Sequence, residues 1–219
     1  MEKTTQLVVA TGNAGKVREV TAIFSGMPLI VQSLRDYPDI GPIEECGATF
    51  AQNALIKART VAEKTHCLTL ADDSGLVVDA LGGRPGIFSA RYGADLALMP
   101  GESNDQRNIR KLLGEMDGVP EARRTCRFVA CLALVRPDGR EMTLEAHWEG
   151  RLLTAPRGEN GFGYDPIFFD PLREQSAACM SLSEKNAISH RGKALRALLE
   201  RLPHFLSLPP LPAPIQNGE

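Results

Sequence analysis

Two hydrophobic periods alternate along the chain, and together they predict an α/β domain. Leu7–Ala10, in QLVVATGN, form a continuous apolar run, a buried strand ending at Thr-Gly-Asn. In AGKVREVTAIFSG, Val17, Val20, Ile23 and Phe24 recur at helical spacing, with Gly26 as the stop. LIVQSL predicts a second strand, and YPDIGPIEECG, with two prolines and two glycines, a loop. TFAQNALIKARTVAEKT opens with Thr49 and Gln52 at capping-box spacing. Phe50, Ala54, Ala58 and Val61 then mark one helix face, which leaves Asn53 and Lys57 on the exposed side. The next apolar run predicts a buried strand that stops at Asp72 and Asp73, and a further apolar run, Leu76–Val78, follows.

The second half alternates in the same way. DQRNIRKLLGEM predicts a helix, and RFVACLALV (Arg127–Val135), apolar on both faces, a central strand. RPDG turns it into EMTLEAHWEGRL, where Met142, Leu144, Ala146 and Trp148 alternate with Thr143, Glu145, His147 and Glu149. That is the pattern of an antiparallel strand with one polar face. GENGFGYDPIFF reads as loop then strand. SLSEKNAISHRGKALRALLERL ends in a helix with Ala194, Leu195, Leu198, Leu199 and Leu202 inward. There is no internal repeat. Residues 1–206 read as one α/β domain with a mixed sheet in two lobes, and 207–219 as a flexible proline-rich tail.

Composition narrows the function classes. With 219 residues, 43% hydrophobic and 24% charged, the chain resembles an ordinary globule with a substantial core. A formal net charge of -2 supplies no basic field for long nucleic acids, but leaves room for a small anion held by local cations. The five cysteines show neither CxxC pairing nor metal-finger spacing, and are expected to be reduced, mostly buried thiols. The N-terminal stretch has no basic region, and its apolar run is too short for a signal or a membrane span. A cytoplasmic location without membrane contact is expected.

Five constellations carry candidate chemistry. TGNAGK (Thr11, Gly12, Asn13, Ala14, Gly15, Lys16) lies between a strand and a helix, where backbone amides and the lysine suit an anion. It is not a Walker loop, because the glycines are too close and Val17 follows the lysine. Glu44 and Glu45 sit in the loop before a helix, where a solvated acidic loop is the usual reading. The adjacent Asp72 and Asp73 must repel each other unless a cation, donors or solvent compensates them, which suits a metal or general-base site. In GFGYDP, glycines surround Phe162 and Tyr164, whose rings would either stack a flat ligand or plug the core, and Asp165 follows. SEKNAISHRGKAL places Lys185, His190 and Arg191 ahead of a helix. Together these are the parts of a nucleotide hydrolase, and a bound Mg²⁺ would neutralise the paired acids.

TGNAGKVREV, TFAQNALIKA, ADDSGLVVDALGGRPGIFSARYG, GFGYDPIF and ISHRGKAL resemble, in order, the signature segments of the Ham1-like family of inosine/xanthosine triphosphate pyrophosphatases. The likeness runs from about Leu7 to Leu202. It implies an elongated mixed sheet flanked by helices, with two lobes and a central substrate cleft, and a homodimer. It also implies hydrolysis of ITP, dITP and XTP to the monophosphate and pyrophosphate with Mg²⁺. By the same resemblance Thr11–Lys16 hold the phosphates, Asp73 is the catalytic carboxylate, and Glu45 or neighbouring Glu44 helps with the metal. Ser74, the Phe162–Gly163–Tyr164–Asp165 run, Lys185, His190 and Arg191 contact the nucleotide. Cys46 stands where Thr or Asp is common in the family, and the proline-rich tail is additional.

The reaction so implied is attack of water on phosphorus with pyrophosphate leaving. Asp73 is expected to orient and deprotonate the water, and Lys16 to stabilise the leaving group. Donors at Arg191 or His190 would read the 6-keto oxygen that adenine lacks. Two rival classes remain: a nucleotide sensor without chemistry, and a phosphatase that releases orthophosphate.

Overall fold

The computed structural model describes residues 5–207; the expected tail, apart from Ser207, lies outside the described residues. β1 (Thr5–Val9) leads into α1 (Ala14–Ile23), β2 (Leu29–Ser33) and α2 (Phe50–Thr65). β3 (Leu68–Val78) is followed by a 3-10 segment at Gly86–Arg91 and by α3 (Asn104–Glu115). The long hairpin of β4 (Thr125–Val135) and β5 (Glu141–Leu152) precedes the short β6 (Phe168–Asp170) and β7 (Gln175–Ser176). The described chain closes with α4 (Leu182–Ile188) and α5 (His190–Ser207).

These strands form one seven-stranded mixed sheet in the order β2-β1-β3-β4-β5-β6-β7. Only β1 pairs in parallel, with β2 and with β3; every other ladder is antiparallel. The two-faced apolar run of β4 is central, as its pattern requires, and β5 buries Leu144 and Trp148 while its intervening positions face out. Among the helices, Thr49 caps α2 by accepting from Gln52 N at 3.2 Å, and Gln52 returns its side chain to Ala48 N.

β3 departs from expectation. It does not stop at the acids but runs through them, because β4 pairs it continuously, with Asp72 opposite Leu132 and Asp73 opposite Cys131. What stops there is β1, whose register with β3 ends at Val9–Leu70 and whose last bond runs from Ala10 N to Leu70 O. From Ala71 to Gly75 no strand pairs with the β1-side edge of β3, and the acids line this opening; at Val77 the edge is taken up again by a bridge to Pro85.

The hydrophobic interior divides at the same place. Leu68 and Leu70 of β3 enter a cluster with α1 and α5, and Ala71 enters another with α2 on the opposite face. Leu76 and Val78 enter a third, built with α3, Phe128, Trp148 and Phe168. Each fully buried leucine contributes about 1.5–3 kcal/mol of transfer free energy. Asp72-Asp73-Ser74-Gly75 therefore forms a polar break between two apolar blocks, and the cleft between the lobes lies across it. Of the cysteines only Cys126 and Cys131 are buried; Cys67 is half-buried and Cys46 and Cys179 are exposed, so the expected burial of most thiols does not hold. No helix among the described residues is long and apolar enough to cross a membrane.

The turn from α4 to α5 is tight enough to require glycine. A Cβ on Gly192 would lie 1.9 Å from the backbone oxygen of Asn186. Gly192→Ala is expected to destabilise the fold by about 1–3 kcal/mol through this clash, read as a lowered urea midpoint. A midpoint equal to that of the wild type would show that α4 and α5 can separate freely.

Candidate active site

The acids on β3 take opposite sides of the sheet because successive side chains on a strand alternate. Asp72 and Ser74 face α5. There Arg191 donates through Nε to Asp72 and through Nη2 to Ser74 Oγ at 2.8 Å. Asp73 faces α2, where Lys57 Nζ reaches its Oδ1 at 2.8 Å. The repulsion expected of neighbouring carboxylates is thus avoided by geometry and by separate cations.

Two lysines also close the open strand edge. Asp72 O, which points towards the missing continuation of β1, accepts from Lys16 Nζ at 3.1 Å and Lys57 Nζ at 3.0 Å. Lys16 Nζ further bonds Asp72 Oδ1 at 2.7 Å, and Lys57 Nζ lies 3.3 Å from Glu45. Asn53 and Lys57, placed on the exposed side of α2 by pattern alone, are in fact buried. The small buried side chains of Ala54 and Ala58 leave the space in which Lys57 reaches the sheet.

Beyond Asp72 the charges alternate across the cleft floor. Arg191 Nη1 bonds Glu19, Glu19 lies 3.2 Å from Lys185 Nζ, and Lys185 Nζ lies 2.6 Å from Asp165 Oδ2. Arg191, Glu19, Lys185 and Asp165 are all buried. Phe162 lies against this row, its centroid 4.8 Å from Lys185 Nζ and 5.5 Å from the Arg191 guanidinium carbon. Its amide donates to Asp165 Oδ2 at 2.9 Å. Tyr164, the other aromatic of the loop, is a core plug whose hydroxyl donates to Ser89 O at 2.8 Å. His190 opens α5, buried and stacked on Phe128 with centroids 4.7 Å apart. The pair His190–Arg191 is therefore inside helix α5 and inside the protein.

At the TGNAGK turn, Asn13 caps α1 by accepting from Gly15 N and Lys16 N at 2.8 and 3.2 Å. Thr11, Gly12, Asn13 and Lys16 line a cavity of about 650 Å³ together with Glu45, Lys57, Asp72, Asp73, Ser74, Phe162, Gly163, Tyr164, Asp165, Lys185, His190 and Arg191. Ala14 and Gly15 do not line the cavity, and Glu44 is exposed and outside it. Glu19 and Lys57 were not marked as site residues by sequence. Their signals were faint: an acid one helical turn beyond Lys16, and a lysine set among alanines.

The charge states follow from these contacts. Burial would raise the Asp72 carboxyl, but Arg191 and Lys16 outweigh it and hold it well below the usual carboxylate range. Glu19 is likewise kept low, with Arg191 and Lys185 overcoming burial. Burial pushes Asp73 up, with Lys57 opposing, and its Oδ2 is buried without a partner. Burial and then Arg191 drive His190 well below the ordinary imidazole value, so the ring is neutral at pH 7, and its Nδ1 has no partner.

Removing Arg191 would strand two buried carboxylates. Arg191→Met is expected to lower stability at pH 7 by about 3–5 kcal/mol. Asp72 and Glu19, whose folded pKa values are depressed, stabilise the fold above their unfolded values near about 4. That contribution is lost as pH falls through the folded values, so the deficit of the variant should shrink below pH of about 4. Urea titrations at neutral and acid pH measure both; a deficit independent of pH would refute the ion-pair account.

The geometry unites segments that the sequence suggested separately, and the chain as a whole has counterparts among known proteins. The model of the Ham1 family matches residues 7–201. A dITP/XTP pyrophosphatase of Nitratidesulfovibrio vulgaris is 54% identical over 199 residues, covering 91% of this chain and 96% of that protein. One from Geobacillus kaustophilus is 50% identical, over 90% of this chain and 93% of its own length. Among solved structures, a HAM1 protein from Coxiella burnetii superposes with a TM-score of 0.80 at 37% identity, covering 91% of this chain and 99% of that one. Since both the sheet with its cleft and the sequence from end to end of the described fold have these counterparts, the chain belongs to the Ham1 family.

Proposed function

We propose that the cleft hydrolyses ITP, dITP and XTP to the monophosphate and pyrophosphate with Mg²⁺, and so cleanses the nucleotide pool. The observation that carries this reading is the buried, unpartnered Asp73 Oδ2, set in one cavity between a lysine-bearing turn and an aromatic wall. The cavity, about 650 Å³, is of the size that encloses a nucleotide. The names of the relatives, dITP/XTP pyrophosphatases, support the same substrates.

The donor set fits Mg²⁺. Asp73 and Glu45 are hard oxygen donors already gathered around one cation, the Lys57 ammonium. Among the described residues no group of three or more His, Cys, Asp or Glu side chains is placed to hold a metal ion. Mg²⁺ is commonly held by one or two carboxylates, with substrate phosphates and water completing its shell. When bound, the ion would neutralise phosphate charge and lower the pKa of a water.

The protein's own groups divide the remaining work. Asp73 accepts the proton of the attacking water at Oδ2, and Lys57 keeps the carboxylate aimed by holding Oδ1. Lys16 and the turn receive the departing pyrophosphate. At the other end Phe162 offers a face to the purine, and the neutral His190 can donate to a 6-keto oxygen. Adenine presents an amine there, and such a mismatch discriminates by up to about 10⁴–10⁵. Guanine shares the keto group, so its 2-amino group must be refused by shape. In the same reading the chain acts as a cytoplasmic homodimer, which light scattering of the purified protein would test.

A panel of ITP, dITP, XTP, ATP and GTP with Mg²⁺ is expected to yield monophosphate and pyrophosphate from the first three. Release of orthophosphate would overturn the reading. Asp73→Asn should reduce turnover by about 10²–10⁴ while leaving the circular dichroism spectrum unchanged. The acid limb of the wild-type kcat/KM profile should disappear in Asp73→Asn, since only ionised Asp73 acts as the base.

A further inference from the structure

The loop that carries Phe162 is pinned from two sides. On one side the Phe162 amide donates to Asp165, which is locked in the buried charge row by Lys185. On the other, Gly163 N donates to Asp105 Oδ2 at 2.7 Å, although Asp105 is 58 residues away, in the first turn of α3. Gly163 has φ +61°, a left-handed conformation that turns its amide towards α3. Asp105 is exposed and lines the cavity. It is tied to the second lobe, where Asn108 on the next turn of α3 accepts from Gly93 N at 2.7 Å and donates to Ser89 O and Ala90 O.

We propose that Asp105 is a positioning residue that fixes the Phe162 ring for the base by holding the Gly163 amide across the cleft. The argument rests on the stacking role given to Phe162 above. Phe162 packs tightly: a Cβ on Gly15 would lie 2.6 Å from its Cδ1, so a small rotation of the loop brings the ring into the phosphate turn or away from the cations. Asp165 ties the loop to the charge row: its Oδ2 accepts from the Phe162 amide and its own N–H donates to Phe162 O at 3.3 Å. The bond from Gly163 N adds an anchor on the opposite side of the cleft, in α3. A carboxylate acceptor makes it stronger than a neutral bond, and the exposed position of Asp105 lets the loop release without breaking the core. The consequence is specific: Asp105 affects recognition of the base and not of the phosphates.

The test compares Asp105→Ala and Asp105→Asn with the wild-type protein. Asp105→Ala should raise KM for ITP about three- to tenfold with kcat changed less, while the inhibition constant of inorganic tripolyphosphate, which has no base, stays unchanged. Asp105→Asn keeps an acceptor oxygen for Gly163 N and should restore most of the loss. Hydrogen exchange provides a readout independent of turnover: the Gly163 amide should exchange faster in Asp105→Ala than in Asp105→Asn. An equal rise for ITP and tripolyphosphate, or a fall in thermal stability without a change in the KM ratio, would overturn the proposal and leave Asp105 as a helix-end residue. If the wild-type protein hydrolyses no purine triphosphate, the functional reading fails instead, and the exchange data still decide whether Asp105 holds the loop.

Discussion

The site depends on one row of alternating charges: Lys16, Asp72, Arg191, Glu19, Lys185 and Asp165. The row joins the TGNAGK turn after β1, the middle of β3, the corner between α4 and α5, and the loop behind Phe162. Three cations balance three anions, so the row as a whole adds no net charge to the interior. Each inner member has two partners of opposite sign, which is the condition under which buried charges are tolerated. Arg191 is the hinge of the arrangement because a planar guanidinium reaches Asp72, Glu19 and Ser74 at once. A lysine there could not hold three partners in one plane.

The sheet decides where such a row can exist. Had β1 continued beside β3, a strand would fill the edge now occupied by Lys16 and Lys57, and Asp72 O would accept from a backbone amide. Ending β1 at Val9 opens a slot at the boundary between parallel and antiparallel pairing. Ligands in open α/β sheets collect at such interruptions of strand order. Alternation along β3 then sends Asp72 to the structural row and leaves Asp73 on the other face with one oxygen unpartnered. Two adjacent residues of one type thus receive opposite electrostatic fates: one is held ionised by its neighbours, the other is pushed towards the neutral form by burial.

Much of the fold was legible because its strands and helices carry clean periods. The two-faced apolar run of β4, the alternation of β5 and the inward leucines of α5 each required one structure. The end of β3 was misread because polar residues within a strand look like its terminus when the cations that bury them are unseen. Those cations come from far away: Asp72 meets Lys16 across 56 residues and Arg191 across 119. Local pattern carries no record of such a meeting. Lys57 was misplaced because its immediate neighbours on the buried face of α2 are mostly small alanines, so that face reads as narrower than it is. The short elements β7 and α4 lie within segments whose period is too brief to register.

The buried row is hard to explain by stability. Apolar side chains of the same volume would stabilise such an interior as well or better, since desolvating six charged groups offsets most of their mutual attraction. What an apolar interior could not do is hold a lysine beside a phosphate site and donors beside a base with little reorganisation when ligand arrives. The members of the row are oriented by each other before any ligand is present, and each end faces the same cavity. Lys16 at one end and Lys185 next to the other can turn towards a ligand only by loosening a bond within the row. A triphosphate that supplies oxygens to Lys16 and a flat base that lies along Phe162 would compensate both ends together. A nucleoside or a bare phosphate chain would compensate one end alone. In the proposed function, selectivity for the whole nucleotide would thus be a property of the row, with the apolar blocks on either side keeping water from screening it.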